Sequence, residues 1–273
     1  MFATGFMRAI PIRGLIALAL CCATCVSAAE DVRLATTTST ENSGLLKVIL
    51  PVFEAKYGGK VRVVAVGTGA ALKLGENGDA DVVLVHARPL EDKFMAAGFG
   101  SVRKDEMYND FIIVGPKSDP AAVRGMKDVL AAMKKIHASG ARFISRGDES
   151  GTHQMEKSYW QSAGVDLKGA WYVSAGQGMG QVLTMAGQLD GYALTDRATY
   201  AAYRDKTGLD TLVEGDPKMF NPYGAIAVSP QRHPGVNARG AMAFVNWITS
   251  IEGHKAIADF RINGVQMFFP SVR

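Results

Sequence analysis

Ser145-Arg146-Gly147-Asp148-Glu149-Ser150-Gly151-Thr152-His153 lies between an apolar run, Arg142-Phe143-Ile144-Ser145, and a helical pattern from about Thr152 to Ala163 that Gly164 stops. A strand that runs through a polar, glycine-bearing loop into a helix is the unit of α/β proteins. The same design recurs at Thr36-Thr37-Thr38-Ser39-Thr40, at Gly67-Thr68-Gly69 and at Gly176-Gln177-Gly178-Met179-Gly180. The first turn of a helix leaves backbone N–H groups unpaired and carries about half a positive charge. Glycine lets backbone approach a ligand closely, and hydroxyls add donors of rotatable direction. Several such ends meeting at one point would make an anion cage. Arg146 would supply it with a fixed charge and a fork suited to tetrahedral oxyanions.

Outward from these loops the alternation continues. Val32 to Ala35, Val61 to Val66, Asp81 to Val85 and Tyr108 to Gly115 read as strands. Leu45, Ile49, Val52 and Phe53 share one face at helical spacing, Pro51 sits mid-helix and is expected to kink it, and Gly58-Gly59 ends the helix. The continuous apolar runs predict a parallel sheet covered on both faces. Pro116-Lys117-Ser118-Asp119-Pro120 breaks the composition and is a candidate crossing into a second lobe. Leu183, Ala186 and Leu189 mark a helix, Tyr192 to Leu194 a strand, and Tyr223 to Val228 a return strand. Asn237 opens a long C-terminal helix carrying Met242, Val245, Trp247 and Ile248, and Trp160, Trp171 and Trp247 fall in patterned segments that predict core or cleft wall.

At the N-terminus Arg8 and Arg13 precede an apolar stretch from Leu15 to Val26, followed by Ser27-Ala28-Ala29. That order predicts a secretory signal peptide over residues 1–29 and a periplasmic protein. The stretch is too short to span a membrane. Thr24 is larger than the lipidation motif prefers before Cys25, so a lipid tether there is not expected. Without its two arginines the remaining chain holds 28 basic against 26 acidic side chains, close to neutral and with no basic run, which argues against nucleic acid as a partner. All three cysteines fall in the signal, which excludes a disulfide scaffold, a thiol nucleophile and a cysteine metal site from the mature chain.

Each loop also has a plainer reading. Thr38-Ser39-Thr40-Glu41 fits a capping box. Gly67-Thr68-Gly69 lacks the third glycine of a dinucleotide fingerprint, having Leu72 instead, and Gly176 to Gly180 lacks a phosphate-loop lysine. Ser150 and His153 could serve as nucleophile and base of a secreted hydrolase, but no Gly-x-Ser-x-Gly surrounds Ser150, which suits an N-cap better. Asp79 with Asp81, and Asp148 with Glu149, could be acid–base pairs, although loop carboxylates more often cap or face solvent. The five histidines, His86, His137, His153, His233 and His254, show no metal-ligand spacing, and neither a metal nor a cofactor is expected. Arg146 could also clamp an organic acid.

Taken in order, the loops and their neighbours resemble a known family. Thr36 to Thr40, Gly67 to Gly69, Asp79-Ala80-Asp81-Val82-Val83-Leu84-Val85-His86-Ala87, Met107-Tyr108-Asn109-Asp110-Phe111, Ser145 to His153, Gly176 to Gly180, Leu194-Thr195-Asp196-Arg197 and Glu214-Gly215-Asp216-Pro217 are similar to the tungstate-specific periplasmic binding proteins of ABC transporters. The resemblance runs from about residue 34 to the C-terminus, and Arg146-x-x-x-Ser150-Gly151-Thr152 also resembles phosphate-binding relatives. It implies a type II periplasmic-binding-protein fold: two α/β lobes joined by two crossing strands, with a central ligand cleft. Lobe one would be residues 30–112 plus 222–273 and lobe two 113–221. Thr37, Thr38, Ser39 and Thr68 would bind the ligand from lobe one, and Arg146, Ser150, Gly151, Thr152, Gly178 and Met179 from lobe two. The implied protein is no enzyme but a monomeric receptor that delivers tungstate to a permease subunit in the inner membrane. Molybdate, sulfate or phosphate are the alternative ligands. Hydrogen phosphate carries a donor and would reward a carboxylate in the cage, a part Asp148 could take unless it orients Arg146 instead. Glu149 would repel a dianion unless it points away.

Overall fold

Alternate residues of the apolar runs are buried on opposite faces of one sheet in the computed structural model, which describes residues 1–2 and 29–271. The signal-peptide reading and the three cysteines fall on residues 3–28, outside the described ones. The described chain opens with β1 (Val32–Thr37), α1 (Thr38–Asn42), α2 (Leu45–Tyr57), β2 (Val61–Val66), α3 (Thr68–Asn77), β3 (Val82–Val85) and α4 (Arg88–Ala96). It continues through β4 (Gly100–Gly115), α5 (Val129–Ser139), β5 (Phe143–Ser145), α6 (Gly151–Ser162), β6 (Tyr172–Ser174), α7 (Met179–Gln188), β7 (Ala193–Asp196), α8 (Arg197–Thr207) and β8 (Asp210–Val213). It closes with β9 (Phe220–Val228), α9 (Ala238–Ile248), α10 (Ile251–Asp259) and the two-residue strands β10 (Arg261–Ile262), β11 (Val265–Gln266) and β12 (Phe269–Pro270).

The sheet runs β12-β4-β9-β3-β1-β2, with β7 and β8 on the far end of β4. β1 pairs in parallel with β2 and β3, but β9 enters antiparallel between β3 and β4. The expected parallel sheet is therefore mixed. The chain leaves the first half along β4 and returns along β9, so two long strands run side by side in opposite directions. β4 pairs with β9 as far as Asp110 and with β7 from Phe111 onward, so one strand serves both halves. The handover lies before Pro116, and Pro116 to Pro120 forms a turn past the end of β4. Leu34, Val82, Leu84, Ala225 and Ala227 face one core layer, while Ala35, Val83, Val85, Ile226 and Val228 face another. Beyond the handover Phe111 and Ile113 face a third layer, and Ile112 and Val114 a fourth. Burial on both faces is why these strands read as unbroken apolar runs.

Local chemistry sets the helix ends. Gly58, at φ +84°, closes α2, which runs through Pro51 unbroken; Leu45, Ile49 and Phe53 are buried as expected, but Val52 is exposed. Trp160 and Trp247 are buried, and Trp171 packs edge-on against Trp160. Asn237 caps α9 through the Gly240 amide, and the long C-terminal helix breaks at Ser250, which caps α10 through the Gly253 amide. Among the described residues no helix is long and apolar enough to cross a membrane.

Candidate functional site

Four strand-to-helix loops point the N-termini of α1, α3, α6 and α7 toward one place. Thr37 ends β1 in extended conformation, and its Oγ1 accepts from the Thr40 amide at 3.2 Å. The cap expected at Thr38 thus sits one residue earlier, because β1 carries extended backbone through Thr37. Ser150 caps α6 by accepting from the His153 amide at 3.3 Å. α3 and α7 have Gly67 and Gly178 at their N-caps, with no side chain over the amide ends.

The loops meet across the two halves. The Arg146 Nη2 donates to Thr38 Oγ1 at 3.2 Å, and the Gly151 amide donates to Thr68 Oγ1 at 3.1 Å. Thr199 Oγ1 donates to the Ser39 carbonyl at 3.2 Å. A Cβ at Gly178 would lie 3.6 Å from Thr38 Oγ1, so the α7 loop adjoins the α1 loop. The Gln177 amide donates to the Arg146 carbonyl at 3.2 Å, which fixes the α7 loop against the α6 loop. Thr37, Thr38, Ser39, Thr68, Arg146, Ser150, Gly151, Thr152 and Gly178 are all brought together. The Met179 side chain is not: it packs in the core with Val182 and Leu183 and leaves only its backbone at the loop.

Arg146 is almost wholly buried, so its charge needs a partner. Asp148 accepts from both Nε and Nη2 of Arg146 through Oδ2, and from the Ser150 amide through Oδ1. Burial alone would raise the Asp148 pKa, but the hydrogen bonds and charge of Arg146 outweigh it and hold the carboxyl below its usual range. Asp148 thus orients Arg146, one of its two expected parts. Glu149 turns away, with its carboxylate on Lys157 Nζ at 2.8 and 2.9 Å and Gln154 Nε2 beside it. The Lys157 bond keeps the Glu149 pKa low. The backbone of Glu149 lies at φ +57°, an uncommon conformation for a residue with a side chain and of the kind that gathers at ligand loops.

Thr152 Oγ1 is fully buried and has no hydrogen-bond partner among the described residues. An orphaned hydroxyl of this kind costs about 1–3 kcal/mol unless a ligand or water meets it. The His153 ring does not face Ser150. Its Nδ1 accepts from the Glu149 amide at 3.1 Å, and the Ser150 hydroxyl receives the His153 backbone, so nucleophile and base are not aligned. Among the described residues no group of His, Cys, Asp and Glu could hold a metal ion. A cavity of about 440 Å³ opens beside the loops, between His86–Pro89 and the Gln154–Ser158 face of α6.

Several residues at the site were invisible to spacing. His86 lies 47 positions from Ser39, yet its Nε2 is 3.1 Å from Ser39 Oγ. Asn109, Asn221, Asp196 and Thr199 join the same buried cluster. The segments around His86, Asn109 and Asp196 carry the family resemblance, but nothing local in the sequence marks those side chains as partners of the Ser39 loop.

The comparisons with known proteins place the chain in a family of solute receptors. A family model described as a PBP superfamily domain matches residues 26–252. The chain belongs to that superfamily, and within it to the family of ABC-transporter tungstate-binding proteins. It is 47% identical over 242 residues to the tungstate-binding protein TupA of Peptoclostridium acidaminophilum, covering 87% of this chain and 85% of the relative. The crystal structure of the tungstate ABC transporter from Geobacter sulfurreducens aligns with TM-score 0.79 at 57% identity, over 84% of this chain and 98% of that one. The tungstate-binding protein TupA of Desulfovibrio alaskensis G20 aligns with TM-score 0.77 at 47% identity, over 90% of this chain and all of the other.

Proposed function

We propose that this protein binds tungstate in the periplasm and delivers it to an ABC permease without transforming it. The observation that carries this is the set of amide ends and hydroxyls gathered from both halves around one buried, oriented guanidinium, with the Thr152 hydroxyl still unmatched. Tungstate is a proton-free dianion whose oxygens only accept, so a cage of donors suits it. Hydrogen phosphate would need an acceptor in the cage, and the Asp148 carboxylate is already engaged by Arg146 and the Ser150 amide. Because Asp148 balances the formal charge of Arg146, much of the attraction falls to amide ends, helix dipoles and hydroxyls.

Residues 30–112 with 222–273 would form one lobe and residues 113–221 the other. Thr38, Ser39 and Thr68 would meet the anion from the first, and Arg146, Ser150, Thr152 and the Gly178–Met179 amides from the second, with Thr37 holding the α1 turn and the Gly151 amide fixing Thr68. Ligand would favour the closed form, because only that form brings donors from both lobes to one anion. Molybdate has the same shape and charge and is the nearest competitor. Calorimetry of the mature protein against tungstate, molybdate, sulfate and phosphate tests the proposal. Tungstate is expected to bind tightest. Arg146→Ala, which removes charge-assisted bonds worth about 1.5–3 kcal/mol each, should weaken binding by about a hundredfold or more. Binding of organic acids with no response to any oxyanion would overturn it.

A further inference from the structure

Six buried residues from five separate segments of the chain close a ring of hydrogen bonds that begins and ends on Ser39. His86 Nε2 lies 3.1 Å from Ser39 Oγ, and His86 Nδ1 lies 3.0 Å from Asn221 Oδ1. Asn221 Nδ2 donates to Asn109 Oδ1 at 2.7 Å, and Asn109 Nδ2 reaches Asp196 Oδ1 at 3.4 Å. The Thr199 amide donates to that same Oδ1 at 2.9 Å, and Thr199 Oγ1 donates to the Ser39 carbonyl at 3.2 Å. The ring passes through the α1 turn, the end of β3, both long strands β9 and β4, and the N-terminus of α8. The His86 ring also stacks on Tyr223 at 4.7 Å.

The direction of every donor in the ring follows from its far end. Asp196 Oδ1 accepts from the Thr199 amide and from Asn109 Nδ2, the arrangement of a carboxyl that is ionised or carries its proton on Oδ2. Asn109 must then turn its amide NH₂ to Asp196 and its carbonyl to Asn221. Asn221 in turn offers NH₂ to Asn109 and its carbonyl to His86. Neutral His86 therefore carries its proton on Nδ1, and its bare Nε2 accepts from the Ser39 hydroxyl. Complete burial, aided by the charge of Arg146, holds the His86 pKa down at about 4, so the His86 imidazole is neutral across the physiological range.

We propose that His86 is a positioning residue that accepts the Ser39 hydroxyl hydrogen bond and, through Asn221, Asn109, Asp196 and Thr199, ties the α1 turn of the anion cage to both crossing strands. Two consequences follow. The Ser39 hydroxyl does not donate to the anion, so Ser39 contributes its backbone amide to the cage. The Thr199-to-Ser39 link joins the two halves, so the ring is complete only when they are closed, and it favours the same form that the anion favours. Both consequences rest on the tungstate-binding reading above; the proton direction does not.

The test is long-range proton–nitrogen NMR on the mature protein at neutral pH, with the His86 signals assigned by their loss in His86→Gln, together with tungstate calorimetry on His86→Gln and Asn221→Leu. The expected result is a protonated Nδ1 and a bare Nε2 on His86, and tungstate affinity lowered about tenfold or more in both variants. Asn221→Leu should also shift His86 toward a mixture of tautomers, which loss of packing alone would not do. The proposal fails if the proton sits on Nε2 in the wild type, or if both variants bind tungstate within twofold of wild type. The tautomer is read in the wild type, with His86→Gln serving only to assign its signals, so it decides even if Asn221→Leu folds poorly. A wild type that binds no tungstate at all would overturn the proposed function and the closure link, while the tautomer would still decide the proton direction.

Discussion

Glu106 lies fully buried in β4 at a bulge against β9, and neither of its carboxyl oxygens has a partner among the described residues. Burial raises its pKa to about 8, the nearby Glu91 carboxyl pushes the same way, and Arg103 opposes. The sign of the effect on stability follows from this. The unfolded group ionises near 4.5 and the folded one near 8, so the folded state holds the extra proton between those values. Stability from this group is full below about pH 4.5 and is lost as pH rises toward 8. At about 1.4 kcal/mol per unit, that is roughly 4–5 kcal/mol at most. Glu156, raised to about 7 by burial, adds a slope of the same sign. The melting temperature should therefore fall between pH 5 and pH 8.5, and Glu106→Gln should flatten much of that fall. An unchanged slope in the variant would show that the buried acid titrates normally.

At the scale of elements, capping can be separated from binding. Asp128 caps α5 by accepting from the Leu130 and Ala131 amides, both at 3.0 Å, and lies outside the anion loops. Asp128→Ala should cost about 1 kcal/mol, seen as a drop of a few degrees in melting temperature, with tungstate affinity unchanged. Such local devices are what a sequence exposes. The four anion loops were legible because strand, glycine or hydroxyl, and helix are adjacent in the chain, and the Ser150 cap because its partner is three residues on. The antiparallel return of β9 was not legible, because an apolar run gives burial but no direction. Nor was the His86 ring, since Asn221 lies 135 positions from His86 and only folding makes them neighbours. α4 and α8 escaped for another reason: each shows only a narrow buried face, such as Ala198, Thr199 and Tyr200 in α8. α5 does carry its pattern, with Val129, Ala132, Met133 and Ile136 buried at helical spacing.

For the whole molecule, the proposed function turns on a balance between open and closed halves. Gly151 is the place to shift it without touching a donor group. Its amide already meets Thr68 Oγ1 across the gap, and a Cβ there would sit 3.0 Å from that oxygen and 3.3 Å from the Ala87 Cβ and the His86 carbonyl. All three neighbours belong to the opposite half, so the crowding exists only when the halves are shut. Within its own helix the substitution is favourable, since alanine is a better helix former than glycine by up to about 1 kcal/mol. Gly151→Ala is therefore expected to leave the empty protein as stable as wild type or slightly more so, yet to weaken tungstate binding about tenfold or more by disfavouring closure. Small-angle scattering supplies the second readout: wild type should become more compact on saturation with tungstate, and the variant less so at the same occupancy. If the variant binds and compacts like wild type, the halves do not close around the anion through this contact. The hinge would then have to be sought elsewhere along β4 and β9.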